Sequence, residues 1–320
     1  MRTARRRREF RRRRGGRRML DPLLLAGFVA SLLVALLPVL EVVHSSAQAR
    51  SVVASLSSTV DETYNAGRMN CLSQAQRYNM ALSESADEGV LGMGGNHAGL
   101  SDILPLATRT TDQPLLPYEE QLRWRDGVAL CWLEIPSLGL REPVYHGTSD
   151  EALAMGVGHV EWSSLPVGGP SSHCVLAAHS GMRHALMFDQ LGTLVDGDIF
   201  VVHTLGDTYQ YSVYAAQTVL PEEAQASCQI VPGSDLCTLM TCTPYGINSH
   251  RLLVHGRRVR YIPEDGQNTP VKLTAVMGPR MMPLALLVTG GCLPLCARVI
   301  GHVKERTGRR RVSHMTWRNL

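Results

Sequence analysis

Cys242 closes the apolar, β-branched run Thr238-Leu239-Met240-Thr241-Cys242, and Arg251 opens the next one, Arg251-Leu252-Leu253-Val254. Eight residues separate them, with Pro244 and Gly246 marking a loop. Two antiparallel strands joined there bring a thiol and a guanidinium to one end of a sheet. That pair suits acyl transfer: sulfur attacks a carbonyl, and a fixed cation steadies the oxygen that becomes negative. A thiol is only a few per cent thiolate at neutral pH and needs an activating neighbour. Arg251 stays charged, so it acts as a donor and not as an acid. A leaving amine needs a proton, which histidine is suited to supply near neutral pH.

The chain carries 12 histidines, so composition does not choose among them. His179 stands out by position: it ends the apolar run Cys174-Val175-Leu176-Ala177-Ala178 and precedes Ser180-Gly181. A polar residue at a strand end beside a glycine turn is where sites are built. Each member of the trio also has an ordinary reading. A cysteine in an apolar strand is usually a small buried hydrophobe. A strand-opening arginine is usually solvated, and a histidine before glycine usually belongs to a turn.

Longer motifs add to the spacing. Thr238-Leu239-Met240-Thr241-Cys242 resembles the Thr-Leu-x-Thr-Cys signature of the sortases, surface transpeptidases of Gram-positive bacteria. The continuation from Thr243 through Gly256 is similar to class C, the pilin-polymerising branch. So are Pro143-Val144-Tyr145-His146-Gly147-Thr148, Gly156-Val157-Gly158-His159-Val160, Ser164-Leu165-Pro166-Val167-Gly168-Gly169 and Leu186-Met187-Phe188-Asp189-Gln190-Leu191. The resemblance runs from about Trp132 to Arg258, roughly 40% of the chain.

That resemblance implies Cys242 as nucleophile, His179 as general acid/base and Arg251 as stabiliser of the oxyanion or substrate, with no cofactor and no metal. The family's Gly-His-Arg-Gly is Ala178-His179-Ser180-Gly181 here, so both flanks of the histidine differ. His146, His159 and His250 are read as structural or rim residues. The implied reaction cleaves a Leu-Pro-x-Thr-Gly-like signal between Thr and Gly through a thioacyl enzyme. A pilin lysine then takes the acyl group. The rivals are a housekeeping enzyme that anchors surface proteins to a cell-wall precursor, and a non-catalytic pilus scaffold. The implied partners are pilin or surface proteins bearing that signal.

Charge is partitioned along the 320 residues. Residues 1–18 hold 11 Arg against Glu9, and residues 298–320 hold seven Lys or Arg against Glu305. The intervening 19–297 hold 14 basic and 26 acidic residues, a net of −12. Basic ends invite a nucleic-acid reading, but each abuts an apolar segment, which favours a membrane and no nucleic acid. Pro22 to Leu40 is 19 residues without a charge, and Met281 to Ala297 is 17. Both approach the length that crosses a bilayer. The outer charges then place both termini in the cytoplasm and the middle outside the cell membrane. The first segment also resembles a secretory signal ending at Ala47-Gln48-Ala49; an uncleaved anchor is the favoured reading.

Eight cysteines fit an exported chain in which some could pair, Cys228 with Cys237 or Cys71 with Cys131. No Cys-x-x-Cys or His-rich spacing suggests zinc.

The elements that must hold the trio are expected as follows. Residues 1–18 form a basic tail, 19–44 an anchor or signal, and 45–128 a region of helices and loops. A closed, mainly β sortase-type barrel spans 129–260. Residues 261–280 form a linker, 281–300 a second membrane helix and 301–320 a second basic tail. Within 45–90, Val52, Leu56, Val60, Tyr64 and Met69, Leu72, Ala75, Tyr78, Leu82 recur at helical steps. Strands are expected over Ala129–Ile135, His173–Ala178, Asp198–His203, Thr208–Ala215, Cys237–Cys242 and Arg251–Val259, with helical turns at Leu153–Met155 and Ala185–Leu191. Class C enzymes commonly carry an Asp-Pro-aromatic lid before the barrel. The nearest sequence here, Asp112-Gln113-Pro114, lacks the aromatic and reads as a surface loop.

Overall fold

Short runs of β-branched and aromatic residues, broken by Gly and Pro, fold as eight strands in the computed structural model. It describes residues 43–57, 65–87, 115–123, 129–181 and 187–261, with scattered positions between 29 and 41. Residues 41–276 form one unit; residues 1–40 and 277–320 form another, of which only scattered helical positions in 29–40 are described. No helix among the described residues is long and apolar enough to cross a membrane. Segment 281–297 lies wholly outside the described residues, 22–40 largely so, and Asp112-Gln113-Pro114 wholly so.

The strands are β1 (Ala129–Ile135), β2 (Leu140–His146), β3 (Val157–His159), β4 (Ser172–Ala177), β5 (Ile199–Thr204), β6 (Asp207–Val219), β7 (Asp235–Thr243) and β8 (His250–Val259). They close into a barrel in the order β1-β2-β3-β4-β7-β8-β6-β5. The β2–β3 and β4–β7 pairs are parallel and the others antiparallel. The six strands named from the sequence are all present. β2 and β3 complete the barrel, with Pro143 and Gly158 paired inside them as Trp132↔Pro143 and Gly158↔Ala177. β6 runs four residues past Ala215, with a bulge between Val213 and Ala215, and so reaches the level of Arg251 through Val219.

Alternation sorts the side chains. Leu133, Val144, Leu176, Phe200, Tyr211, Cys237, Leu239 and Val254 fill the interior. Val175, Ala177, Met240 and Leu253 form a second apolar cluster with Val160, Trp162, Val219 and Cys228, on the outer face of β4, β7 and β8. Gly256 is required inside: a Cβ there would come within 2.4 Å of the Phe200 ring.

Helix α1 (43–57) and helix α2 (Asn65–Asp87) precede the barrel, and a short helix, α3 (Asp150–Met155), links β2 to β3. Val52 and Leu56 of α1 pack against Ala129, Tyr145 and Ala152; Val60 and Tyr64 lie outside the described residues. Leu72, Ala75, Tyr78 and Leu82 form the buried stripe of α2, but Met69 is exposed. That first turn is held instead by Arg68, which donates to the Leu205 carbonyl and the Asp207 carboxylate. Ser149 caps α3 by accepting from Ala152 N–H, ahead of Asp150 and Glu151 in the first turn.

Candidate functional site

β7 and β8 pair without a slip from Leu236↔Arg257 to Thr243↔His250, and in that register Cys242 lies directly across from Arg251. Directly opposed residues share a face, with Cβ atoms about 5 Å apart. The turn between them is fixed from within. Ile247 and Asn248 N–H both donate to the Pro244 carbonyl, at 3.0 and 2.9 Å, and Asn248 takes the left-handed conformation at φ 58°. Arg251 Nη1 donates to the carbonyls of Asn248 (3.3 Å) and His250 (3.2 Å). The guanidinium is thereby held at the turn while Nη2 and Nε remain to donate to a substrate oxygen.

His179 arrives by the parallel pair. β4 and β7 run in register from Ser172↔Asp235 to Ala177↔Met240. Two residues further, the same offset sets His179 level with Cys242. Three bonds hold that extension in place. Ala178 N–H donates to the Met240 carbonyl (3.1 Å), Thr241 Oγ1 to the Ala178 carbonyl (2.8 Å) and Ser180 Oγ to the Cys242 carbonyl (2.6 Å). Beyond it, Phe188 N–H donates to the His179 carbonyl (3.2 Å), and Gly181 N–H to Asp189 Oδ1. Val175 and Ala177 face outward on β4, and His179 continues their alternation. The structure thus brings His179, Cys242 and Arg251 to one end of one sheet face, on three adjacent strands. Ala177, Met240 and Leu253 form the apolar row beneath them.

Thr241 and Ser180, which no local pattern singles out, have structural tasks here. Both staple the β4 extension to β7. No short-range signal reveals this, because the partners lie 62 and 63 residues apart.

The other cysteines are poorer nucleophile candidates. The six described cysteines are free thiols; among them Cys131, Cys174, Cys228 and Cys237 are buried, while Cys242 is half-buried at its strand end. Burial pushes the Cys131 and Cys174 thiols well above the usual range, and that of Cys228 to about 12. The pairings entertained from the sequence are not formed. Cys237 points into the barrel while Cys228 packs on the outer face. Cys131 lies in the barrel interior, and Cys71 is a free, half-buried thiol of α2.

The remaining family-like histidines hold structure together. His159, fully buried, bonds the Tyr118 hydroxyl through Nδ1 (2.9 Å) and the Ser164 carbonyl through Nε2 (2.9 Å). His146 Nε2 meets the Gln121 carbonyl at 2.9 Å. His250, at the start of β8, contacts its neighbour Ser249.

Comparison with known proteins places the barrel in a family. The sequence profile of the sortase domain matches residues 133–259. Sortase A of Bacillus anthracis is 27% identical over 126 residues, 39% of this chain and 57% of that protein; the chain therefore spans little more than half the length of that relative. Sortase C1 of Streptococcus agalactiae is 33% identical, with 67% of this chain covering 100% of that one at a TM-score of 0.53. Clostridium perfringens sortase C, solved with the C-terminal cell wall sorting motif, is 30% identical, with 68% covering 100% at a TM-score of 0.51. The closed eight-stranded barrel and the two solved class C sortases, each at least 30% identical and covered over its whole length, lead to one conclusion: this chain belongs to the sortase family, in its class C branch.

Proposed function

We propose that the protein is a membrane-held pilin polymerase that cuts a Leu-Pro-x-Thr-Gly-like signal between Thr and Gly and joins the Thr carboxyl to a lysine amine. The observation that carries this reading is the register Cys242↔Arg251 with His179 level beside it. The Cys242 thiolate adds to the Thr carbonyl carbon. The carbonyl oxygen takes the negative charge and is met by the Arg251 guanidinium. The carbon–nitrogen bond then breaks, and the glycine amine leaves with a proton from the His179 imidazolium. A thioester remains on Cys242. The lysine amine attacks it, gives its proton to neutral His179 and expels the thiolate, so an amide replaces the thioester and the enzyme is restored.

The basic ends beside apolar segments support a barrel outside the cell with both termini in the cytoplasm. Protease added to intact cells should digest the barrel and spare epitopes placed at both ends; loss of either epitope overturns that topology.

The deciding measurement is mass spectrometry of the protein incubated with a signal peptide. A covalent adduct equal to the peptide cut after Thr is expected on the parent and not on Cys242→Ala. Pilus assembly that persists in Cys242→Ala would favour a non-catalytic scaffold. Release of the acyl group by a cell-wall precursor amine, with no release by a pilin lysine, would favour the anchoring role.

A further inference from the structure

Three rows from the Cys242 end, the outer sheet face carries a second group of side chains that the reaction above does not use. His173 on β4 is 2% exposed, His255 on β8 is 5%, and Cys228, on the connection from β6 to β7, is 4%. One ligand atom from each lies within 4.8 Å of the other two.

The two imidazoles are aimed by their outer nitrogens. His173 Nδ1 meets the Gln229 carbonyl at 2.8 Å, so it carries the proton and leaves Nε2 with a lone pair. His255 Nε2 meets the Gln217 side-chain amide at 3.0 Å. The inner nitrogens, His173 Nε2 and His255 Nδ1, both point at one atom, Thr238 Oγ1, at 2.7 and 2.8 Å. The Cys228 thiol is hydrogen-bonded to the same threonine. A histidine that binds a metal holds its far nitrogen on a carbonyl, carboxylate or amide. Both histidines here meet that requirement once the Gln217 amide turns its oxygen to His255 Nε2.

We propose that His173, Cys228 and His255 form a site for a tetrahedral, thiophilic divalent cation of the zinc type, which clamps the β6–β7 connection to the sheet. Two imidazole nitrogens and one thiolate suit zinc and exclude calcium and magnesium, which take oxygen donors. The fourth position falls to the Thr238 hydroxyl or a water. Metal–nitrogen bonds of about 2.0 Å and a metal–sulfur bond of about 2.3 Å require the donors to close to roughly 3.5 Å of one another. Rotation of the Thr238 side chain makes that room. Binding exchanges the Cys228 proton for the cation and releases it to solvent, while the His255 proton moves from Nδ1, which takes the cation, to Nε2, where the turned Gln217 oxygen accepts it. Gln229, exposed and adjacent to Cys228, places the site one residue beneath the surface and gives the cation a way in. Cys228 packs with Val175, Ala177 and Leu253, so the cation would stiffen the apolar cluster that leads to Cys242. This site does not depend on the reaction proposed above.

The test uses the full chain in detergent, carrying Cys71→Ser and Cys242→Ala so that the two half-buried thiols among the described residues add no signal, and stripped with a chelator. Titration with Co²⁺ should give one equivalent of binding, with a thiolate charge-transfer band in the near ultraviolet and tetrahedral visible bands that Zn²⁺ displaces. Adding Cys228→Ser should remove the charge-transfer band, and His255→Gln should weaken binding at least tenfold. X-ray absorption at the zinc edge of the zinc-loaded protein should show one sulfur and two imidazoles. Absence of the band, its survival in Cys228→Ser, or a zinc shell without sulfur overturns the site. The last reading needs no variant at Cys228 or His255 to fold.

Discussion

At the residue scale, the proposed chemistry asks three different things of three side chains, and each can be removed separately. Arg251 must present a planar donor pair to a developing oxyanion while Nη1 stays tied to the turn. Lysine keeps the charge but loses the paired donors, so charge alone is insufficient. Arg251→Lys is expected to lower kcat/KM for a signal peptide by roughly 100-fold or more, the scale of losing one oxyanion donor. Turnover within a few-fold of the parent would show that only the charge matters. His179→Ala should be comparably damaging. Ser180 is the subtler case: its hydroxyl touches the Cys242 carbonyl and no reacting atom, so it positions the thiol. Ser180→Ala should lower kcat with little change in KM, without altering the adduct mass. A loss confined to KM would assign Ser180 to substrate binding instead.

At the element scale, the barrel depends on what is laid against it. Asn79 of α2 forms a closed pair with the backbone of Leu165: its amide donates to the Leu165 carbonyl (3.1 Å), and Leu165 N–H donates to its oxygen (2.7 Å). Both groups are buried, and the Leu165 carbonyl also accepts from Val167 N–H (2.8 Å), so Asn79→Ala strands one buried donor, the Leu165 N–H. The expected cost is about 1–3 kcal/mol, read as a lower denaturation midpoint with an unchanged denaturant slope. A loss below about 0.5 kcal/mol would mean that water replaces the pair. The asparagine lies in Tyr78-Asn79…Leu82, whose sequence resembles the helical region before the class C barrel and predicts a helix but not this bond. That contrast shows what was legible. Strands and the Cys242–Arg251 turn are local patterns, so period-two alternation and Pro/Gly placement reveal them. The parallel pair β4–β7 joins segments 63 residues apart, as in Ser172↔Asp235, and its register leaves no local trace. His179 was therefore placed by its strand-end position and by resemblance, while the staples at Thr241 and Ser180 went unseen. The His173–Cys228–His255 group was invisible for the same reason. Its members lie 55 and 27 residues apart, far from any metal-binding spacing, and meet only because β4, β8 and the β6–β7 connection share one face.

At the scale of the whole molecule, buried titratable groups couple the fold to pH, and they oppose one another. Burial holds His159 and His255 down to about 4, and lowers His173. An unfolded histidine takes its proton near pH 6.5, whereas these do so only at lower pH. Their contribution is therefore complete above about pH 6.5 and is lost as pH falls towards 4; for His159 that amounts to roughly 3 kcal/mol. Glu142 runs the other way. Burial lifts its carboxyl to about 7, so the native state holds a proton that the unfolded chain gives up near 4.5. Its contribution is present below about pH 4.5 and is lost as pH rises through about 7. Between those limits Glu142 offsets about one histidine, and the histidines outnumber it. The parent, kept in chelator so that metal plays no part, should lose stability from pH 7 to pH 5. Glu142→Gln removes the opposing group. It is expected to be the more stable protein at pH 8 and to show a steeper acid loss, by up to about 1.4 kcal/mol per pH unit. Urea midpoints at pH 5, 6, 7 and 8 measure both slopes. Parallel curves for the two proteins would mean that Glu142 titrates alike in the folded and unfolded chains, and would remove it from the balance.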